Sequence, residues 1–195
     1  MTERAKDGGV EGVEPGLVES RPVHHGRIVE LSVDTVRFPD GSTGDLDMIR
    51  HPGAAAVLPV LSALDAADPQ VVLIRQYRYA AGGYLYEVPA GKPDRPGEPW
   101  DDVARRELEE ETGLRAGTLR RLTAIHTAPG FTDELIHLYV ASDLSEGAVK
   151  RDADEFMELV RVPLSRALTM IRDGEISDAK TICTLLYAAG FVFGL

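Results

Sequence analysis

Glutamates at helical spacing, with arginines beside them, are the residues of this chain whose pattern could do chemistry. In the stretch GKPDRPGEPWDDVARRELEEETGL, Glu107, Glu110 and Glu111 stand at positions i, i+3 and i+4. At about 100° per residue these carboxylates share one face of a helix, where like charges repel. Hard divalent cations, which prefer oxygen ligands, would relieve that repulsion. A solvated charged face with Arg105 and Arg106 as ion-pair partners explains the spacing equally well.

The pattern of apolar residues predicts the elements that would position these carboxylates. A helix is expected from about Pro99 to Thr112, with Gly113 at its C-terminal end, and two more at Leu164–Arg172 and Ser177–Phe193. Alternating or continuous apolar runs predict the strands. These are Val29–Thr35, Asp45–His51, Ala54–Leu61, Gln70–Tyr77, Tyr84–Val88, Arg121–Thr127, Leu135–Ala141 and Met157–Val162. The order predicts an α/β (α+β) fold in which helices flank a mixed sheet.

Composition disfavours several classes of partner. The 195 residues carry 21 basic and 32 acidic side chains, a formal net charge of −11, which disfavours generic nucleic-acid binding. A small anionic substrate stays possible if cations bridge it to the protein. No apolar run approaches the ~20 residues that span a bilayer, and the N-terminus does not resemble a secretory signal. The single Cys183 fits a reducing cytoplasm and is expected to be a buried small hydrophobe.

The acidic helix and the loop before it resemble the Nudix box. That motif reads G-x5-E-x7-R-E-U-x-E-E-x-G-U, where U is a bulky aliphatic residue, and every fixed residue type occurs between Gly91 and Leu114. One departure is that six residues, rather than five, separate Gly91 from Glu98. The extra residue lies in a Pro/Gly-rich loop, where an insertion leaves the helical register unchanged. The resemblance favours the metal-binding interpretation of the helix.

A Nudix-type α/β/α sandwich with a mixed β-sheet is the fold that the resemblance implies. It also implies that Glu107 and Glu111 bind metal together with the backbone carbonyl of Ala90. Glu110 assists them, and Arg106 orients the carboxylates. The implied cofactor is Mg2+, as two or three ions, with Mn2+ as a possible substitute.

Segments outside the box are similar to those of bacterial ADP-ribose pyrophosphatases within this family. They are His51–Val60, Arg75–Lys92, Ala128–Glu134 and Asp173–Thr181, and Pro129 stands sixteen residues after Gly113 as in that branch. The implied reaction is hydrolysis of ADP-ribose to AMP and ribose 5-phosphate. One alternative is a hydrolase of another nucleoside diphosphate sugar such as GDP-mannose. The other is a non-catalytic ADP-ribose-binding sensor, which the intact box disfavours.

The general base is expected on the acidic loop after the box. By resemblance to the ADP-ribose branch it is a glutamate there, and Glu155 in DADEFMEL is our choice. Asp152, Asp154 and Glu158 are rivals on the same loop, and Glu110 is the alternative base within the box. A solvated acidic turn remains the non-catalytic interpretation.

Substrate-binding residues are expected on a strand and on a later loop. Arg75 and Arg78 could bind phosphates bidentately, with a plain surface cation as the alternative for each. By resemblance Glu134 would accept hydrogen bonds from the terminal ribose. Tyr77, Tyr79, Tyr84 and Phe131 are possible stacking surfaces for a base, and none is assigned.

Three segments are expected along the chain. Residues 1–21 are predicted to be a flexible acidic tail, residues 22–52 an N-terminal antiparallel β extension, and residues 53–195 the Nudix domain. Related ADP-ribose hydrolases exchange such N-terminal strands between subunits, so the resemblance implies a homodimer.

Overall fold

The structure, a computed structural model, describes residues 14–147 and 157–194. They form two compact units: the described residues up to His51 with Ala128–Glu134, and the remainder from Pro52 onward. Glu155, the expected base, and its rivals Asp152 and Asp154 lie outside the described residues. Within the described ranges, no helix is long and apolar enough to cross a membrane.

The first unit contains a three-stranded antiparallel sheet in the order β1-β2-β3. Its strands are β1 (Gly16–His25), β2 (Glu30–Arg37) and β3 (Thr43–Arg50). In the turn between β2 and β3, Asp40 accepts hydrogen bonds from Ser42, and Gly41 has a φ of 86°. Glycine adopts that conformation at little cost, which explains the sharp turn. This sheet is the antiparallel extension that the sequence predicts.

The N-terminal strand begins earlier than expected. Residues 16–21, assigned above to the flexible tail, belong to β1. The flexible tail was predicted because these residues offer little apolar surface to bury. Every side chain of β1 is exposed, so that criterion could not reveal the strand. Backbone pairing with β2 and the Ser20–Asp34 hydrogen bond hold β1 in place instead.

A buried carboxylate connects the strands of this sheet. Asp34 is 1% exposed, and its Oδ1 accepts hydrogen bonds from Ser20 at 2.6 Å and Ser32 at 2.8 Å. Its Oδ2 binds the guanidinium of Arg50. These hydroxyls, with the charge of Arg50, outweigh burial and lower the pKa of Asp34. Arg50 also lies 3.4 Å from Asp133, which links β3 to the Ala128–Glu134 segment of the same unit.

The second unit contains three sheets and three α-helices among the described residues. Its strands are β4 (Ala54–Pro59), β5 (Gln70–Arg78), β6 (Gly83–Glu87), β7 (Ala90–Gly91), β8 (Leu114–Arg115), β9 (Thr118–His126), β10 (Leu135–Ser142), β11 (Ser145–Glu146) and β12 (Met157–Pro163). Its helices are α1 (Trp100–Thr112), α2 (Leu164–Arg172) and α3 (Ala179–Ala188). One sheet runs β7-β4-β10-β9 with β4 and β10 parallel, so the predicted mixed sheet is confirmed.

The central strands are buried on both faces, which creates the layered sandwich. Along β4, Ala55 and Val57 pack with α1, whereas Ala56 and Leu58 pack in the core that contains residues of α2 and α3. Successive side chains of a strand point to opposite faces, so α1 covers one side of the sheet and the later helices cover the other. This is the α/β/α arrangement expected, and it explains why β4 reads as a continuous apolar run.

Two predictions for the last helix need correction. Regular α-helix ends at Ala188, and Ala189–Phe193 continue it as a π-helical turn rather than as α-helix to Phe193. Cys183 is exposed, so the prediction that it is buried was wrong. The buried positions of α3 are Thr181, Thr184, Leu185 and Ala188, at helical spacing, and Cys183 falls on the opposite face.

A buried histidine joins the α1 face of the sheet to the helix. His137 on β10 stacks on Trp100, with ring centroids 4.4 Å apart and planes 21° apart. Its Nδ1 lies 3.2 Å from Arg121 Nη2. Because a guanidinium only donates, Nδ1 accepts and His137 is neutral in this arrangement. Burial, with the charge of Arg121, lowers the pKa of His137.

The lowered pKa of His137 should therefore reduce the free energy of unfolding in mildly acidic solution. The unfolded imidazole binds its proton near pH 6.5, whereas the folded one binds it only at a lower pH. The free energy of unfolding should fall as the pH drops below about 6.5 and level off below the folded pKa. Urea unfolding between about pH 7.5 and 5.5, where carboxylates stay ionised, measures this change.

Matched variants separate this histidine from the others. His137→Gln keeps an acceptor for Arg121 and should flatten the pH dependence in that window. His126→Gln, at an exposed position of β9, should retain the wild-type dependence. An equal pH dependence in wild type and His137→Gln would refute the assignment.

Candidate active site

One arginine on α1 gathers the acidic residues of the motif. Arg106 Nη1 donates to Glu107 Oε1 at 2.7 Å and to Glu110 Oε2 at 3.1 Å, and Nη2 donates to the carbonyl of Lys92 at 2.9 Å. Its Nε lies 3.3 Å from Asp94 and 3.5 Å from Glu98, in ion-pair rather than hydrogen-bond geometry. Four carboxylates thus surround a single guanidinium.

Electrostatics keep this arginine charged. Burial acts to lower the pKa of Arg106, but the charges and hydrogen bonds of Glu107, Glu110 and Asp94 outweigh it and raise the pKa. The guanidinium also fixes the directions in which two of the motif carboxylates point. The predicted role of Arg106 as an orienting group fits this geometry.

Glu111 and Glu107 both contact the short strand β7. Glu111 is 3% exposed, and its Oε2 accepts a hydrogen bond from the backbone N–H of Ala90 at 3.0 Å. A Cβ built on Gly91 would lie 2.1 Å from the carboxyl carbon of Glu107, so only glycine leaves room for that carboxylate. The structure therefore brings Ala90, Glu107 and Glu111 together, with Glu110 beside them through Arg106.

These residues fit a hard divalent cation. The donors available are carboxylate oxygens and backbone carbonyls, which Mg2+ prefers to nitrogen or sulfur. The atoms nearest to the Cβ position of Gly91 belong to the Glu107 carboxylate. Among the described residues, no three acidic, histidine or cysteine side chains already converge as a metal cluster. Arg106 and the Ala90 N–H hold the carboxylates instead, so we expect these side chains to reorient when metal binds.

The two arginines predicted to bind phosphate lie on opposite faces of β5. They stand three positions apart in a regularly paired strand, so their side chains point to opposite sides. Arg78 donates from Nε and Nη2 to Glu87 at 2.7 and 2.8 Å, and Glu111 acts on it electrostatically. Arg75 instead covers the ring of Tyr84 at 4.1 Å and pairs with Glu158 at 3.6 Å. Arg78 therefore neighbours the motif carboxylates, and Arg75 does not share its face.

Glu134 belongs to the first unit. Its Oε1 lies 3.2 Å from Nδ1 of His51, and its backbone N–H donates to Thr132. The backbone N–H of His51 donates to Asp133 at 2.9 Å. The role of Glu134 toward ribose stays a prediction, as does that of Glu155 outside the described residues.

Sequence reasoning missed two partners of Arg106. Asp94 and the carbonyl of Lys92 lie in a loop without periodicity, where no sequence signal indicates which groups turn toward the helix. Glu98, although one residue out of the motif spacing, does reach Arg106 and also accepts a hydrogen bond from the Asp94 N–H at 2.8 Å. The extra residue is thus accommodated in the loop.

Comparison with known proteins agrees with this site. The NUDIX domain family matches residues 51–185. A methanol dehydrogenase activator of Bacillus methanolicus is 39% identical over 176 residues, covering 89% of this chain and 92% of that protein. An ADP-ribose pyrophosphatase of Bacillus subtilis is 36% identical over 180 residues, covering 91% and 94%. A GDP-mannose pyrophosphatase of Citrobacter koseri is 41% identical over 129 residues, covering 60% and 65%.

The fold is also similar to a solved structure. A crystal structure of an ADP compounds hydrolase superposes with a TM-score of 0.78 at 25% identity, covering 93% of this chain and 96% of that one. The fold and the acidic helix define a pyrophosphohydrolase of the kind that uses divalent metal. The chain belongs to the Nudix family.

Gly91→Ala should separate metal binding from folding. The added methyl collides with the end of a flexible side chain, so the fold should survive while the Glu107 carboxylate is displaced. We expect Mg2+ affinity to fall by roughly 10–100-fold, as measured by titrating the metal dependence of activity and by calorimetry without substrate.

Gly190→Ala is the matched control. A Cβ on Gly190 meets nothing within 4 Å, so this variant should bind metal like the wild type. If Gly91→Ala retained wild-type Mg2+ affinity, Glu107 would not be a ligand.

Proposed function

We propose that this chain is a Mg2+-dependent pyrophosphohydrolase that converts ADP-ribose and water to AMP and ribose 5-phosphate. The observation that carries the proposal is the acidic site on α1, in which Arg106 binds Glu107 and Glu110 while Glu111 contacts Ala90. Relatives named ADP-ribose pyrophosphatase, similar over most of their length, support the choice of substrate.

Charge determines how these residues act on a diphosphate. The substrate is polyanionic and the protein carries a net charge of −11, so cations must stand between them. Bound Mg2+ would neutralise the phosphate oxygens and acidify an attacking water. Glu107, Glu111 and the Ala90 carbonyl would hold it, two or three ions in all, with Mn2+ as a possible substitute. Arg106 keeps Glu107 and Glu110 oriented, and Arg78 binds a phosphate from beside Glu111.

Removal of the proton from the attacking water is assigned to Glu155. This assignment comes from the resemblance to the ADP-ribose branch, with Glu110 as the alternative base. The Glu110 carboxylate already accepts a hydrogen bond from Arg106, and this favours an acid from the later loop as the base. Glu134 is proposed to bind the ribose, and Arg75, on the opposite face of β5 from Arg78, stays a proposed substrate-binding residue.

A second copy of the chain is the proposed partner of the first unit. β1 is an edge strand whose side chains are all exposed, including the apolar Leu17, Val18 and Val23. Edge strands of this kind pair readily with another chain. We therefore propose a cytoplasmic homodimer in which residues 22–52, extended to Gly16 by the structure, form the interface and residues 53–195 the Nudix domain.

Product analysis tests the proposed reaction. Purified protein is incubated with ADP-ribose, GDP-mannose, ADP-glucose, diadenosine polyphosphates or NADH, with Mg2+ or with EDTA. We expect Mg2+-dependent AMP and ribose 5-phosphate, with the highest kcat/KM for ADP-ribose. Glu111→Gln, which removes one ligand charge, should lower that rate by about two orders of magnitude or more.

The other outcomes separate the alternatives. Faster hydrolysis of GDP-mannose would keep the metal chemistry and replace the substrate, as the relative named GDP-mannose pyrophosphatase would suggest. Tight binding of ADP-ribose without formation of product would favour the sensor hypothesis over the enzyme hypothesis.

Glu155→Gln tests the base. It should reduce kcat by roughly 10²–10⁴-fold with Mg2+ affinity unchanged, since Glu155 is not among the proposed ligands. Asp154→Asn, one residue away, is the matched control and should stay near the wild-type rate. A wild-type kcat for Glu155→Gln would move the role to Glu110 or to a rival acid.

A further inference from the structure

The first turn of α3 holds the strand that leads to the metal site. Lys180 Nζ binds Oε2 of Glu87, the same carboxylate that receives both hydrogen bonds of Arg78. Nζ also lies 3.1 Å from Asp178, the residue that caps the N-terminus of α3. A chain of charged contacts therefore runs from the helix, through Glu87, to Arg78.

A second contact holds the next residue of the same strand end. Thr181 Oγ1 accepts a hydrogen bond from the Val88 N–H at 2.9 Å and donates to Asp178 at 2.6 Å. Val88 stands two residues before Ala90, whose backbone is a proposed metal ligand. The turn thus restrains the approach to Ala90 as well as the carboxylate behind Arg78.

Burial makes Glu87 dependent on its cations. Glu87 is 1% exposed and the Lys180 side chain 12% exposed. Burial acts to raise the pKa of Glu87, but Arg78 and Lys180 outweigh it and lower the pKa. A buried ion pair stabilises a fold little more than apolar side chains would, whereas it does fix the direction of the groups that it joins.

Arg78 has one side left for a ligand. Nε and Nη2 are used by Glu87, and Nη1 has no hydrogen-bond partner among the described residues. Without Lys180, the Glu87 carboxylate would lose its contact on the side away from Arg78, and the direction in which it holds the guanidinium would be less fixed. With Lys180 on the far side of the carboxylate, the guanidinium keeps its orientation.

We infer that Lys180 is a positioning residue, which holds Glu87 so that Nη1 of Arg78 is presented to a phosphate of the substrate. The inference rests on the proposed function, since it assigns how one phosphate is bound. It extends the site to α3, more than sixty residues beyond the motif helix.

A double-mutant cycle tests this role in the full-length protein with ADP-ribose and Mg2+. Lys180→Met should raise KM roughly tenfold, with kcat changed by less than about threefold, because Arg78 binds the substrate and does not transfer a proton. In an Arg78→Ala background the same substitution should change KM by less than about twofold. A merely structural lysine would act equally in both backgrounds.

Two further variants complete the experiment. Arg166→Met removes the exposed ion pair between Arg166 of α2 and Glu175, which follows that helix, and should leave KM unchanged. Glu87→Gln/Lys180→Met leaves no unpaired carboxylate at position 87, so it should fold better than the single variant, and it should raise KM similarly. Equal effects in the two Arg78 backgrounds, or wild-type KM in the double variant, would overturn the inference. A wild type that hydrolyses none of the compounds would instead overturn the proposed function.

Discussion

The crowding of carboxylates around one arginine is the constraint on which the rest of this structure depends. Asp94, Glu98, Glu107 and Glu110 share a single guanidinium, that of Arg106. One positive charge cannot neutralise four carboxylates, and solvent is largely excluded from a side chain that is 21% exposed. The excess of negative charge favours the approach of additional cations, and the fold has to hold mutually repelling carboxylates together.

The layered sandwich holds the carboxylates in place because other elements contact the motif helix α1 on two sides. Val103, Ala104 and Leu108 bury one face of α1 against β4 and β10, which sets its position. The strand β7 contacts the acidic side chains of the helix. The backbone N–H of Ala90 donates to Glu111, and Gly91 leaves space for Glu107. A two-residue strand therefore helps to position the acids that the helix carries.

Local periodicity explains what could be predicted from the sequence. The bounds of α2 and the motif helix, and the eight longer strands after β1, follow from apolar spacing and from Gly113 at the helix end. β1 was missed because its side chains are exposed, and Cys183 was misplaced because one position on an apolar helix does not reveal its face. The sequence did not show that the side chains of Arg75 and Arg78 point to opposite faces of β5. This follows from the alternation of side chains only once the strand is known to pair regularly over both residues.

Contacts between residues far apart in the chain explain what could not be predicted from the sequence. Lys180 and Glu87 are 93 residues apart, and each alone looks like an ordinary charged residue of a helix or a strand end. Their meeting depends on how α3 packs on the end of β6, which the Asp178 cap and Thr181 determine. A buried carboxylate with a cation on either side connects Arg78, the proposed phosphate-binding residue, to the packing of the last helix. We therefore expect that changes far from the motif can alter substrate binding without touching a proposed metal ligand.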